Sequence, residues 1–463
     1  MEKKLTKGIF YVFVANIVNM LFTIILNFVL PKFLSINTYA AIKTFQLYVT
    51  YIGVIHLGFV DGIYLKYGGK EHKNINTNEI IQIISTLRLF QLALTIILII
   101  ISYIIKDPIM FAFSLAVVPL NIVSFFKMFF QAVGEFKLYA RVTNLASILP
   151  FVANIILLFI FKIDNYTFYL LAYVIIDIVI WVILEISYYR YTKEFNLFFF
   201  SRKLLKENIK LGFSLMCGNF ASFLLTGLDR WFVKFLMNNF QFAQYSFAVS
   251  IENMLNVALT PISIPLYNYF CREKSPQKIN IVYKFVIIFA VTIISIAFGV
   301  KFILELFLNN YLKSVSIIFY LFAAQVFQII IKSIYINLYK VKKNQNIYFK
   351  KLIIVIISGA LFNTLCYGIM KTSTSFALGT LMSSVLWLFI SIPDFKEINH
   401  KMSDIMFVFI EVFLFMICGL CFSSIIGFLI YFISTLLLIY IFMRKELTKI
   451  LNTIKIIMKK NRT

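Results

Sequence analysis

Charge is what this sequence has least of. Asp, Glu, Lys and Arg supply only 14% of its 463 residues, against about 25% in a soluble globular chain. Acid is scarcer still, with 20 Asp and Glu facing 44 Lys and Arg for a net charge of +24. A nucleic-acid binder would gather that excess on one polar, folded face. Here the basic residues sit in short clusters between long apolar runs, which excludes that reading. The five cysteines are odd in number and scattered, four of them inside apolar stretches, so they form no disulfide framework. The pair Cys418-x-x-Cys421 has no His or charged ligand near it and reads as small residues in helix packing, not as a metal site. No GxxxxGK[ST] loop is present, which argues against an ATP-driven pump. No TVGYG-type filter is present either, which argues against a potassium channel. The positive flank Met1 to Lys7 leads into an apolar run, Ile9 to Leu30, without a small-residue cleavage site. That run is expected to be a retained membrane helix, not a removed signal peptide.

What fills the space left by charge is apolar: 61% of the residues are hydrophobic and the mean hydropathy is +0.90. The solvent for such a chain is lipid. Runs of about 20 apolar residues, the length needed to cross a hydrocarbon core, recur so as to predict an all-α membrane protein of about fourteen spans, from 9–30 to 424–443. Alternate loops then separate by charge: 32 Lys and Arg fall on the side of both termini and five on the other, namely Lys32, Lys106, Lys162, Lys313 and Lys371. Cytoplasmic loops retain basic residues, so both termini are expected in the cytoplasm of a multi-pass plasma membrane protein. The outer loops are short by this parse, at most about eight residues, too short for a folded outer domain. Residues 444–463 set Ile450, Leu451, Ile454, Ile457 and Met458 at helical spacing beside four lysines. This predicts a basic amphipathic helix on the anionic leaflet. A weak repeat sets Lys7 over Lys210 and Asn16 over Asn219 at a shift of 203, and Lys127 over Lys332 at 205. The expected organisation is a first lobe of six helices (1–200), a second of six (201–395), two extra helices (396–443) and the tail. Transporters are often built from such repeats.

Seven cations remain inside the spans once the loops are removed: Lys43, Arg88, Lys127, Arg230, Lys234, Lys301 and Lys332. Each costs roughly 2.5–3.5 kcal/mol at a helix centre on the lenient insertion scale, so each must face a hydrated cavity, pair with acid or snorkel. Arg88, Lys127 and Lys332 fall in the cytoplasmic third of their spans, and Lys43, Arg230, Lys234 and Lys301 in the outer third, a ladder of positive charge across the bilayer. Lys301 and Glu305, four apart, suit a helix-surface ion pair, and Lys234 lies close enough to an end to snorkel. Asp229 and Arg230 are adjacent and point to different faces, so each needs its own partner. Arg88, Lys127 and Lys332 have no acid at i±3 or i±4 within their helices, which favours a cavity role. Asp177, Glu252 and Glu411 are acids within spans, read either as counter-ions or as groups that exchange H+ or Na+. His56 reads as a hydrogen-bonded histidine in an apolar span. Pro119, Pro150, Pro261 and Pro265 interrupt helices and allow bending.

Gln131-Ala-Val-Gly-Glu-Phe-Lys-Leu-Tyr-Ala-Arg141 resembles the short loop after the fourth helix of bacterial polysaccharide flippases. KENIKLGFSLMCGNFASFLLTGLDRWFVKFL, ending at Leu236, resembles their seventh helix, including the pair Asp229-Arg230, and Gln244-Tyr-Ser-Phe-Ala248 the start of their eighth. The family is that of the O-antigen and capsule flippases in the multidrug, oligosaccharidyl-lipid and polysaccharide exporter superfamily. The resemblance implies a two-lobed, V-shaped bundle that moves an undecaprenyl-diphosphate-linked oligosaccharide between leaflets by alternating access, without a cofactor or metal. Its partners would be the lipid bilayer, a coupling ion, and the polymerase and chain-length proteins of the same pathway. A diphosphate crossing a low-dielectric layer needs cations along its route. The expected substrate-binding residues are therefore Arg88, Lys127, Lys332, Lys43, Arg230 and Asp229, with ion coupling at Asp177 or Glu252. Two alternatives remain open. A multidrug extruder of organic cations would be expected to line its cavity with acids and aromatics. A glycan polymerase or ligase would carry a large outer loop with catalytic Arg or His.

Overall fold

Long runs of Ile, Leu and Phe with almost no interior charge leave the backbone one option in lipid, to satisfy its own hydrogen bonds as helix. In the computed structural model, which describes residues 2–70, 75–193, 198–273 and 275–460, the described residues contain helices and no strand. The first half comprises α1 (Glu2–Phe33), α2 (Ile36–Thr50), α3 (Ile52–Ile55), α4 (Phe59–Tyr67), α5 (Thr77–Ile105), α6 (Pro108–Ala132), α7 (Phe136–Ile155), α8 (Tyr166–Thr192) and α9 (Arg202–Leu236). The second comprises α10 (Asn239–Arg272), α11 (Pro276–Ile293), α12 (Ile296–Phe307), α13 (Ser314–Ile330), α14 (Ile336–Val341), α15 (Gln345–Met370), α16 (Thr374–Ser391), α17 (Met402–Cys421) and α18 (Ser424–Lys460). Among the described residues twelve helical segments are long and apolar enough to cross a membrane, and α2–α3 with α4 form a thirteenth, bent by 58°. The fourteenth expected span is α10. It is 34 residues long and is not among those twelve, because much of its apolar second half lies outside the described residues. The side chains of residues 257–265, Pro261 and Pro265 among them, lie outside the described residues. So do those from 445 on, which carry the expected amphipathic pattern of the tail.

Short polar residues start the helices. Asp107 accepts from the Ile109 and Met110 amides at 2.9 and 3.1 Å, with Pro108 at the first helical position, and Asn165 and Asn238 cap α8 and α10 in the same way. These caps satisfy amides that otherwise have no partner at a helix start. Helix ends are less usual. With only 16 glycines in the chain, lysine takes the left-handed position after a helix at Lys106, Lys193, Lys343 and Lys371, with φ between 51° and 58°. An L-residue is strained there by roughly 1–2 kcal/mol, and a cation at the negative end of the helix dipole offsets part of that.

The chain divides into two compact units, Met1–Leu224 and Leu225–Thr463, with the division inside α9. In the first, α6 is the central helix, packed against α2, α4, α5, α7 and α8. Its Phe125, Phe126 and Phe129 are fully buried in an apolar core shared with α4, α5 and α8. In the second, α13 has that place, packed against α10, α11, α16 and α17 and buried along nearly its whole length.

Candidate functional site

In the second unit a chain of buried polar groups runs through four helices. Glu252 on α10 accepts from Gln325 Nε2 on α13 at 2.5 Å. Gln325 Nε2 also reaches Gln328 Oε1 at 3.3 Å, and the same oxygen accepts from Lys332 Nζ at 2.9 Å. Lys332 donates further to Asn256 Oδ1 at 3.0 Å. Gln328 Nε2 donates to Ser384 Oγ on α16 at 3.2 Å, and Ser384 in turn bonds the Thr380 carbonyl at 2.9 Å. Thr380 Oγ1 and Tyr245 OH converge on Asp229 Oδ2 at 3.5 and 2.5 Å, while Asp229 Oδ1 accepts the Arg230 amide at 2.8 Å. Lys332 lies in a π-helical turn, Ile331–Tyr335, that continues α13. A π turn inserts a residue into the helical count and re-aims the side chains on it. Two acids and two cations, Asp229, Glu252, Arg230 and Lys332, are therefore held in one unit and joined by neutral amides and hydroxyls. Glutamine can donate and accept at once, so it links an acid to a base without adding charge. Arg230 is half-buried, and its Nε is enclosed without a hydrogen-bond partner.

The first unit holds its charges separately. Arg88 on α5 is 5% exposed and places Nε and Nη2 at 3.1 and 2.7 Å from Glu185 Oε1 on α8. The acid missing at i±3 and i±4 is supplied by a neighbouring helix 97 residues on, so Arg88 is an inter-helix ion pair as well as a candidate anion ligand. Lys127, on α6, is half-buried against the Tyr139 ring, 6.0 Å from its centroid, and has no carboxylate partner among the described residues. Lys43 donates to Asn27 Oδ1 at 3.2 Å and lies 5.3 Å from the Tyr39 ring centroid. Asp177 is half-buried on α8 and has no ion-pair or hydrogen-bond partner among the described residues.

Two cations leave the ladder. Lys301 does lie 3.9 Å from Glu305, but its main role is to cap α17, donating to the Gly419 and Phe422 carbonyls at 2.8 and 2.5 Å. Glu305 accepts from the Ser424 hydroxyl at 2.5 Å. Lysine and glutamate together fasten α12 to the α17–α18 turn. Lys234 lies over the Phe242 ring at 5.2 Å. Glu411 on α17 is fully buried and accepts from Thr435 on α18 at 2.8 Å, which makes it a helix-pairing group.

A family model described as "Polysaccharide biosynthesis protein" matches residues 5–272, more than half of the chain. The chain belongs to the polysaccharide biosynthesis protein family. No curated protein matches the sequence at a significant level. Among solved structures, that titled "Lipid II flippase MurJ, inward closed conformation" aligns with a TM-score of 0.70 at 14% identity, covering 95% of this chain and 99% of that one. An outward-facing multidrug resistance MATE transporter of the MOP superfamily aligns with a TM-score of 0.44 at 12% identity, covering 88% of this chain and 96% of that one. The fold is thus an all-α membrane fold similar to that of the MurJ structure. The resemblance to polysaccharide flippases read from the loop at Gln131 and from α9 agrees with the family that those segments fall in.

For this member of the family, charge alone was an incomplete guide to the site. Gln325, Gln328 and Lys332 stand at i, i+3 and i+7 in an apolar span, and Glu252 and Asn256 at i and i+4 in another, each a polar stripe on one helix face. Counting only Lys, Arg, Asp and Glu passes over such stripes. Glu185 and Asp61 also lie in apolar segments, and the partners that give them a role, Arg88 and Asn219, are 97 and 158 residues away in the sequence.

Proposed function

We propose that this chain flips undecaprenyl-diphosphate-linked oligosaccharide repeat units from the cytoplasmic to the periplasmic leaflet of the bacterial inner membrane, for O-antigen or capsule assembly. The observation that carries the reading is the set of cations enclosed in a chain that belongs to a polysaccharide biosynthesis family. A diphosphate is the part of such a lipid that cannot enter hydrocarbon unaccompanied, and buried ammonium and guanidinium groups compensate its charge. Arg88, Lys127 and Lys332 receive the diphosphate from the cytoplasmic side, and Lys43 and Arg230, the latter oriented by Asp229, stabilise it after the change of access. The enclosed, unpartnered Arg230 Nε supports that assignment, because a buried donor left unbonded costs about 1–3 kcal/mol unless a ligand takes it up. Ion coupling by H+ or Na+ is assigned to Asp177 or Glu252, and transport indifferent to both gradients would remove it. The polymerase and chain-length proteins of the pathway are the expected partners.

The test is reconstitution into vesicles loaded with undecaprenyl-diphosphate-linked oligosaccharide, with an added glycosidase to report which leaflet holds the sugar. Protein-dependent exposure of the sugar, slowed by alanine at Lys127 and Lys332, is expected. Normal exposure in both alanine variants at normal protein level would overturn the assignment of those residues, and no exposure by the unaltered protein would overturn the function.

A further inference from the structure

The second span holds an acid that none of these roles uses. The helix breaks at His56–Gly58, where Leu57 and Gly58 take φ of 51° and 87°, and resumes as α4. His56 and Asp61, one on each side of the break, are each 3% exposed. The Gly58 amide donates to His56 Nδ1 at 3.2 Å, so Nδ1 presents a lone pair and the ring proton sits on Nε2. An imidazolium would set two donors against each other there, which keeps the ring neutral. Its Nε2 lies 3.9 Å from Asp61 Oδ2, and Asp61 Oδ1 accepts from Asn219 Nδ2 on α9 at 3.1 Å. Asp61 therefore faces a neutral ring and a neutral amide.

The elements packed around the break bring no compensating cation. On α2, Lys43 is bonded to Asn27; on α4 itself, Lys66 is paired with Glu79 at 2.6 Å. The only charged residue of α6 is Lys127, beside Tyr139. The start of α9 carries Arg202, Lys203, Lys206, Glu207 and Lys210. Among the described residues none of these cations forms an ion pair with Asp61. A carboxylate out of water without a cation takes up a proton in preference to remaining charged. One carboxylate and one amide offer too few oxygens to cage a hard metal cation, which leaves the proton as the ligand.

The same residues sit where α4 and the first part of α9 cross at backbone contact. A Cβ on Gly62 would lie 2.1 Å from the Asn208 carbonyl oxygen, and one on Gly212 would lie 2.0 Å from the Gly58 carbonyl oxygen. No side chain cushions that crossing, so a charge drawing water into it would part the helices.

We propose that Asp61 is a proton-binding site whose charge state sets the α4–α9 crossing: neutral Asp61 holds the two helices in contact, and ionised Asp61 hydrates and parts them. The proposal concerns a proton and a crossing within the first unit and does not rest on the substrate assigned above.

The test uses the full chain in vesicles and no lipid-linked sugar. Infrared difference spectra between about pH 5 and about pH 8 are expected to show a protonated-carboxyl band that is absent in Asp61→Asn and moved in frequency in Asp61→Glu. Hydrogen exchange at the higher pH is expected to be roughly tenfold faster over residues 56–67 and 208–220 in the unaltered protein than in Asp61→Asn, the equivalent of one pKa unit of coupling. A band unchanged by Asp61→Asn overturns the proton site, and equal exchange overturns its control of the crossing. Should Asp61→Asn fail to fold, Asp61→Glu alone decides: an unmoved band overturns the site.

Discussion

The Arg88–Glu185 pair separates a structural cation from a transporting one. Both side chains are nearly enclosed, at 6% and 13% exposure, with Nη2 to Oε1 at 2.7 Å. Removing one partner of a buried pair leaves the other charge uncompensated and costs about 3–5 kcal/mol, whereas removing both leaves no charge and costs far less. If the unit Met1–Leu224 unfolds cooperatively, Arg88→Ala lowers its Tm by roughly 6–20 °C, because a domain of that size shifts by about 2–4 °C per kcal/mol. Glu185→Ala is expected to do the same, and the double change Arg88→Ala/Glu185→Ala to regain most of the loss, giving a large coupling in the mutant cycle. The assay is thermal unfolding in detergent for all four proteins, beside surface glycan at matched protein level. If Arg88 also receives the diphosphate, the double variant recovers stability and stays defective in transport. Recovery of transport together with stability refutes the substrate role, and additive losses in Tm refute the ion-pair reasoning itself.

Lys301→Met is expected to cost about 1.5–3 kcal/mol per lost charged hydrogen bond to the end of α17 and to leave transport per molecule unchanged, read as Tm beside glycan per unit of protein. Gln328→Leu interrupts the link between Lys332 and Glu252 and leaves Ser384 and Lys332 each short of a partner. A stability loss of about 1–3 kcal/mol with reduced transport is expected, and a neutral result would show that the two charges do not act through it. Gly62→Ala drives a methyl group into the Asn208 carbonyl and is expected to lower stability by about 1–3 kcal/mol, whereas Gly69→Ala, with nothing within 4 Å of the added carbon, is expected to cost only its positive-φ strain.

The helices were legible because period and length in lipid leave little choice. α10 was expected as a span and is there as a helix, but the roles of its polar residues were not legible: Glu252 and Asn256 join the polar chain of Gln325, Gln328 and Lys332, whereas Gln241 caps the helix and Gln244 bonds Asn310 and Ser314. Similarly, the charges within the spans could be counted from the sequence but their partners could not. Glu185 meets Arg88, and Gly419 and Phe422 meet Lys301, across about a hundred residues or more of intervening chain, and no local spacing encodes such meetings. Lys301 and Glu305 show the limit of the i,i+4 rule: the pairing is there at 3.9 Å, yet both residues spend their stronger bonds on the α17–α18 turn. His56 looks isolated in the sequence because the break at Gly58 brings Asp61 to it and α9 brings Asn219 to Asp61.

The central claim is flipping, and deletion of the gene in its native bacterium tests it most directly, with surface polysaccharide followed by gel and lipid-linked oligosaccharide extracted from the inner membrane and assigned to a leaflet. Loss of the surface polysaccharide with intact repeat units trapped on the cytoplasmic leaflet is expected. Normal surface polysaccharide with altered drug resistance would contradict it and favour a multidrug extruder.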